Sequence, residues 1–171
     1  LEQKYPLFPG LNLSWEVREG LAKHFTSYDN PGQRPDFKAR SSSLEAQVAN
    51  LADEITYYSH DLDDGLSARL LCEKKLGKDI RAWRQAAVRV KKEFGELPDE
   101  SRRYYIIRCI IDDQVKDVVE ISEAAIAESG VKSSDDVRLQ AKPLIRYSTE
   151  RRLANLELRK YLYQNLYYNP E

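Results

Sequence analysis

Residues 42–65 read SSLEAQVANLADEITYYSHDLDDG, and the spacing of their apolar side chains decides the fold class. Leu44, Val48, Leu51, Ile55, Tyr58 and Leu62 recur at intervals of four, three, four, three and four residues. That is the single apolar stripe of an amphipathic α-helix. Ser42, followed by Glu45 three residues on, has the form of a capping box and predicts the helix start. Asp63, Asp64 and Gly65 predict a break, with a shorter helix from Leu66 to Leu76 that closes at Gly77.

Outward from this helix the same period recurs. Residues 1–5 read as a helix end stopped by Pro6, and Ser14 predicts the N-cap of a helix carrying Val17, Leu21 and Phe25 on one side. That helix is expected to end near residues 24–26. Residues 28–43, with Pro31, Gly32 and Pro35, form the longest irregular segment, and such loops in compact domains are often lids or binding loops. Ile80, Trp83, Ala87, Val90 and Phe94 make another stripe, ended by Gly95. Pro98, with Asp99 and Glu100 behind it, opens a long helix through Ile107, Ile111, Val115, Val118 and Ala125 to Gly130. After a polar loop around Ser133 to Asp136, Ser148 predicts the cap of a last helix that buries Leu158, Tyr161, Leu162 and Leu166. No run alternates at period two, so the expected fold class is all-α, in a single region spanning residues 1–171.

Composition bounds the function. The chain has 171 residues, with 27 Lys and Arg against 28 Asp and Glu, which leaves no bulk charge to draw nucleic acid or acidic lipid. A mean hydropathy of −0.65 and 32% charged residues exclude a membrane protein. Cys72 and Cys109 match no disulfide or metal-knuckle spacing, and no secretory signal is visible, so a cytoplasmic location is expected. The chain starts with Leu and contains no Met, which suggests a piece of something longer. Charge is uneven: residues 78–92 hold six basic residues and one acid, whereas residues 112–128 hold six acids and one Lys. These are either two solvated faces that attract each other in the fold, or a basic contact for phosphates or a neighbouring subunit.

The polar side of the first helix carries the chemistry. At about 100° per residue, Asp53, Tyr57, His60 and Asp64 fall together nearly opposite the apolar stripe, with Asp61 beside them. From Leu44 to Leu66 there is no Lys or Arg to partner Glu45, Asp53, Glu54, Asp61, Asp63 and Asp64. The face therefore either meets water or opens into a cleft in which a cation or substrate donors relieve the crowded acids.

The run Ser43-Leu44-Glu45-Ala46-Gln47-Val48-Ala49-Asn50-Leu51-Ala52-Asp53-Glu54-Ile55, continued by His60-Asp61-Leu62-Asp63-Asp64-Gly65, resembles the second half of the HD-domain deoxynucleotide triphosphohydrolases, the dGTPase-like family. Upstream, Tyr5-Pro6-Leu7-Phe8-Pro9-Gly10-Leu11-Asn12-Leu13-Ser14-Trp15-Glu16 is similar to the segment after that family's catalytic histidine region. Ile110-Ile111-Asp112-Asp113 and the stretch from Leu158 to Pro170 resemble its later helices.

The resemblance implies an HD-domain-like helical bundle and a metal-dependent hydrolase that converts a deoxynucleoside triphosphate to nucleoside and triphosphate. Asp53 matches a ligand of a divalent metal, Mg²⁺ or Mn²⁺ or another transition ion. Tyr57 and Asp61 match the residues that face the deoxyribose, the ring disfavouring a 2′-hydroxyl and the carboxylate accepting from the 3′-hydroxyl. Lys23, in Gly20-Leu21-Ala22-Lys23-His24, resembles a lysine on the triphosphate, and Lys38 is a second choice for that role. The family implies a homo-oligomer, no membrane, and nucleic acid only as a regulator. This chain departs from it in having just His24 and His60, neither in the family's metal-binding His-Asp context. The missing ligands are expected before Leu1, no catalytic residue is assigned, and the isolated chain is expected to be inactive. The competing expectation is a non-catalytic helical module, with the acidic helix solvated and the basic helix docking a partner; hydrolysis of a different phosphoester is a third.

Overall fold

The computed structural model describes residues 6–8, 10–24 and 37–168. Among them there are seven α-helices, a terminal π-helical turn and no strand. The helices are α1 (Trp15–Ala22), α2 (Leu44–Ser67), α3 (Glu73–Asp79), α4 (Arg81–Phe94), α5 (Asp99–Ser129), α6 (Ser134–Leu139) and α7 (Thr149–Leu162), the last running into the π turn Tyr163–Tyr167. Residues 1–5, Phe25 and most of the expected loop lie outside the described residues. No helix among those described is long and apolar enough to cross a membrane.

The expected caps hold at most boundaries. Ser14 and Ser148 accept backbone N–H donors at the starts of α1 and α7, and Pro98 precedes α5. Gly95 and Gly130 end α4 and α5 at positive φ, where a side chain would be strained. The cap of α2 is Ser43, one residue later than the box pattern suggests, with its hydroxyl accepting from Ala46 N–H.

Four elements differ from the pattern; the short helix expected from Leu66 to Leu76 with Gly77 as its stop is instead α3, Glu73–Asp79, with Gly77 inside it. Helix α2 runs through Asp63, Asp64 and Gly65 to Ser67, because Gly65 is needed inside the helix: a Cβ there would lie 2.7 Å from Leu71 Cδ1 and 3.3 Å from Leu166 Cδ1. The chain turns instead at Arg69, at φ 61°, and Leu70 and Leu71 both donate to the Gly65 carbonyl. The polar stretch after Gly130 is not all loop; Ser133 and Asp136 exchange side-chain and backbone bonds as a capping box and start α6. In α1 the apolar residues Val17 and Leu21 are exposed, and the fully buried side chain is Glu19.

The main core joins α2, α4, α5 and α7. Tyr58 and Leu62 of α2 meet Trp83 and Val90 of α4, Ile106 and Ile110 of α5, and Leu158 and Leu162 of α7. On α4 the inward small residue is Ala86, and Phe94 lies at the rim, stacked 4.6 Å from Tyr105. The basic and acidic helices α4 and α5 pack together, and Arg89 donates to Asp113 at 2.6 Å and to the Cys109 carbonyl at 2.8 Å. A smaller core of Ala125, Val137 and Leu144 lies under α6. Gln47 connects this region to α2: its Oε1 accepts from Leu144 N and Ile145 N, while its Nε2 donates to Ser41 Oγ and the Ser42 carbonyl.

Candidate functional site

Helix α2 fixes the site by what it buries on its other side. Ile55, Tyr58 and Leu62 are packed into the molecule, which turns Asp53, Tyr57, His60 and Asp64 away from the core on successive turns. Asp53, His60 and Asp64 are exposed; Tyr57 and Asp61 are half-buried. The Tyr57 ring stands edge-on to Tyr58 at 5.9 Å and tilted against Tyr167 of the π turn at 6.1 Å.

Asp61 has the most constrained carboxylate of the group. Its Oδ2 is closed to solvent and has no hydrogen-bond partner among the described residues. Burial raises its pKa above the usual carboxylate range, the charge of Asp64 adds to the rise, and His60 opposes it. Burial likewise raises the Tyr57 phenol, with the Asp61 charge next in weight. On the inward flank Glu54 is also raised by burial, against the lowering effect of the Tyr58 hydroxyl, Arg159 and Arg152.

The end of α1 supplies the second part. Lys23, the C-cap, is not a loose surface lysine: its Nζ donates to Glu19 Oε1 at 2.7 Å and to the Ser41 carbonyl at 2.9 Å. Glu19 in turn accepts from Arg138 Nε at 2.8 Å, so a buried carboxylate is shared by two cations. Lys38 is exposed. His24 is the residue that sequence reading missed. Its Nδ1 pairs with Asn50 Oδ1, and its Nε2 lies 3.8 Å from Asp53 Oδ2. The only signal for it was its place next to Lys23, since Asp53 is far away along the chain. The structure thus brings His24 to Asp53, and keeps Tyr57 and Asp61 together on the following turns of α2.

These residues do not by themselves fit a divalent cation. Among the described residues no group of three or more His, Cys, Asp or Glu side chains is placed to hold a metal. Asp53 offers an accessible carboxylate with one imidazole near it, short of the donor number such ions require.

Comparison with known proteins is informative over the whole chain. It is 39% identical over 170 residues to the deoxyguanosinetriphosphate triphosphohydrolase-like protein of Geobacter sulfurreducens, a match covering 98% of this chain and 44% of that protein. Over nearly its whole length the chain is thus similar to part of the deoxyguanosinetriphosphate triphosphohydrolase-like proteins. Those of Thiobacillus denitrificans and Caulobacter vibrioides are each 36% identical, over 171 and 180 residues, covering 98% of this chain and 45% of each relative. The chain therefore spans less than half the length of the triphosphohydrolase-like proteins it matches. No family model matches it.

Proposed function

We propose that this chain is the sugar-reading portion of a metal-dependent deoxynucleoside triphosphate triphosphohydrolase, working together with metal ligands supplied from outside the described residues. The observation that carries the reading is half-buried Asp61, whose Oδ2 has no donor among the described residues, one helical turn from the Tyr57 ring. A buried acceptor without a partner costs about 1–3 kcal/mol, and a hydroxyl donor arriving with a ligand removes that cost. A deoxyribose 3′-hydroxyl is such a donor. The Tyr57 ring beside it offers an apolar face to C2′ and no acceptor for a 2′-hydroxyl, so the pair discriminates against ribose.

On the phosphate side Lys23 has a limited role. An ammonium carries three donors, and Glu19 and Ser41 take two of them, so one N–H remains to offset triphosphate charge. Asp53 is the proposed metal ligand, with His24 beside it. Free Cys72 and Cys109 accord with a reducing, cytoplasmic setting, and self-association of the whole protein belongs to the same proposal.

The test uses the complete protein. Triphosphate and deoxynucleoside release from dGTP and the other deoxynucleotides is measured with Mn²⁺ or Mg²⁺. Asp53→Asn is expected to abolish turnover, and Tyr57→Ala to relax the preference for deoxynucleotides by roughly 10-fold or more. Absence of triphosphate release from any deoxynucleotide overturns the reading and favours a non-catalytic helical module. Robust release by residues 1–171 alone overturns the view that ligands come from elsewhere.

A further inference from the structure

The chain leaves α-helical register just where it returns to the candidate site. At the end of α7 the residues Tyr163–Tyr167 form a π turn, closed by Tyr168 N–H donating to the Tyr163 carbonyl at 3.1 Å. Such wide turns are rare and are frequent at functional sites, because the extra residue re-aims side chains that an α turn would send elsewhere.

This one is pinned on two sides. Leu166 occupies the space that Gly65 leaves open on α2. Asn165 Nδ2 donates to the Tyr161 carbonyl at 2.8 Å, and its Oδ1 accepts from Lys75 Nζ at 2.6 Å. The wide turn sets Tyr163 and Tyr167 edge to face at 5.0 Å, with the Arg159 guanidinium over Tyr163. Tyr167 is thereby delivered to the Tyr57 ring, at an interplanar angle of 33°.

Tyr167 is no core residue, since 37% of it is exposed. The larger part of the residue is covered, so its ring also supplies apolar burial that an alanine would lose. Against Tyr57, however, two rings meeting at a tilt restrict each other's rotamers. Tyr58 meets Tyr57 in a T-shaped arrangement at 5.9 Å, and Tyr167 meets it at a tilt at 6.1 Å.

We propose that Tyr167 is a positioning residue for Tyr57: the π turn holds the Tyr57 ring in the orientation that reads the sugar, so discrimination between deoxyribose and ribose depends on a residue that does not itself touch the sugar. This rests on the proposed sugar-reading role of Tyr57 and Asp61. A displaced Tyr57 ring admits a 2′-hydroxyl, and small misplacements of binding groups have large kinetic effects.

Two measurements on the complete protein test it. The first is the ratio of kcat/KM for a deoxynucleotide to that for its ribonucleotide. Tyr167→Ala is expected to lower the ratio roughly 10-fold, chiefly through improved ribonucleotide use, and Tyr167→Phe to restore it. The second is the rate of tyrosine nitration at Tyr57, read by peptide mass spectrometry, which needs no activity. It is expected to rise several-fold in Tyr167→Ala and to match wild type in Tyr167→Phe. If the alanine variant does not fold, Tyr167→Leu carries both readouts with the same expectations. An unchanged ratio, or a melting temperature that falls while the ratio stays fixed, overturns the positioning role. If the complete protein hydrolyses no deoxynucleotide, the functional reading fails; the ring-positioning claim then stands or falls on nitration, and unchanged nitration overturns it.

Discussion

Asp61 shows how one side chain couples stability to the site. Its pKa is raised first by burial and then by Asp64, so the folded state binds that proton more tightly than the unfolded chain does. Stability from this group therefore falls as pH climbs from the unfolded carboxylate value, about 3.9, through the raised folded value, and the full cost is present above it. Asp61→Asn is expected to raise the melting temperature near neutral pH and to lose that advantage at about pH 3, while weakening deoxynucleotide binding. An equal gain in thermal melts at both pH values would contradict the assignment. That Asp61 shares a face with Tyr57 is legible from spacing, because three- and four-residue intervals are geometry. Its buried oxygen is not, since that depends on neighbours that spacing does not encode. The contacts of His24 and Glu19 are hidden for the same reason: His24 meets Asp53, and Glu19 meets Arg138, across long stretches of chain.

Helices were read well where a cap residue acts alone, and poorly where a residue serves a distant partner. Ser14, Pro98, Gly130 and Ser148 mark boundaries through local hydrogen bonds or positive φ, which the sequence carries within a few residues. Gly65 looked like a breaker because glycine usually is one; it lies inside α2 so that Leu71 and Leu166 can come close. The π turn left no periodic signal at all. Gly65→Ala is accordingly expected to destabilise by about 1–3 kcal/mol through overpacking, in spite of alanine's better helix propensity. The change should be concentrated in the π turn, read as faster amide exchange at residues 163–168. A stabilising effect in denaturant titrations would show that Leu71 and Leu166 yield freely.

At the scale of the whole molecule the apolar interior is divided. The larger core holds α2, α4, α5 and α7, while the region around α6 relies on a small cluster and on the four hydrogen bonds of Gln47. Gln47→Leu leaves the N–H groups of Leu144 and Ile145 without their acceptor and is expected to cost about 3 kcal/mol or more. Native-state exchange should show amides 144 and 145 losing protection while those around Trp83 keep theirs, because the two clusters open separately. Uniform loss across both regions would argue for a single cooperative unit. The all-α class was evident from period alone, but this division was not, since the joining residue is a glutamine.

The bond from Arg138 to Glu19 spans 119 residues of chain. A nascent polypeptide leaving the ribosome exposes Glu19 long before Arg138 is translated, so α1 cannot bury its carboxylate against that guanidinium when it first emerges. The pairing of Glu19 with Arg138 therefore waits until α6 has been made, whereas its bond to Lys23 needs only α1 itself.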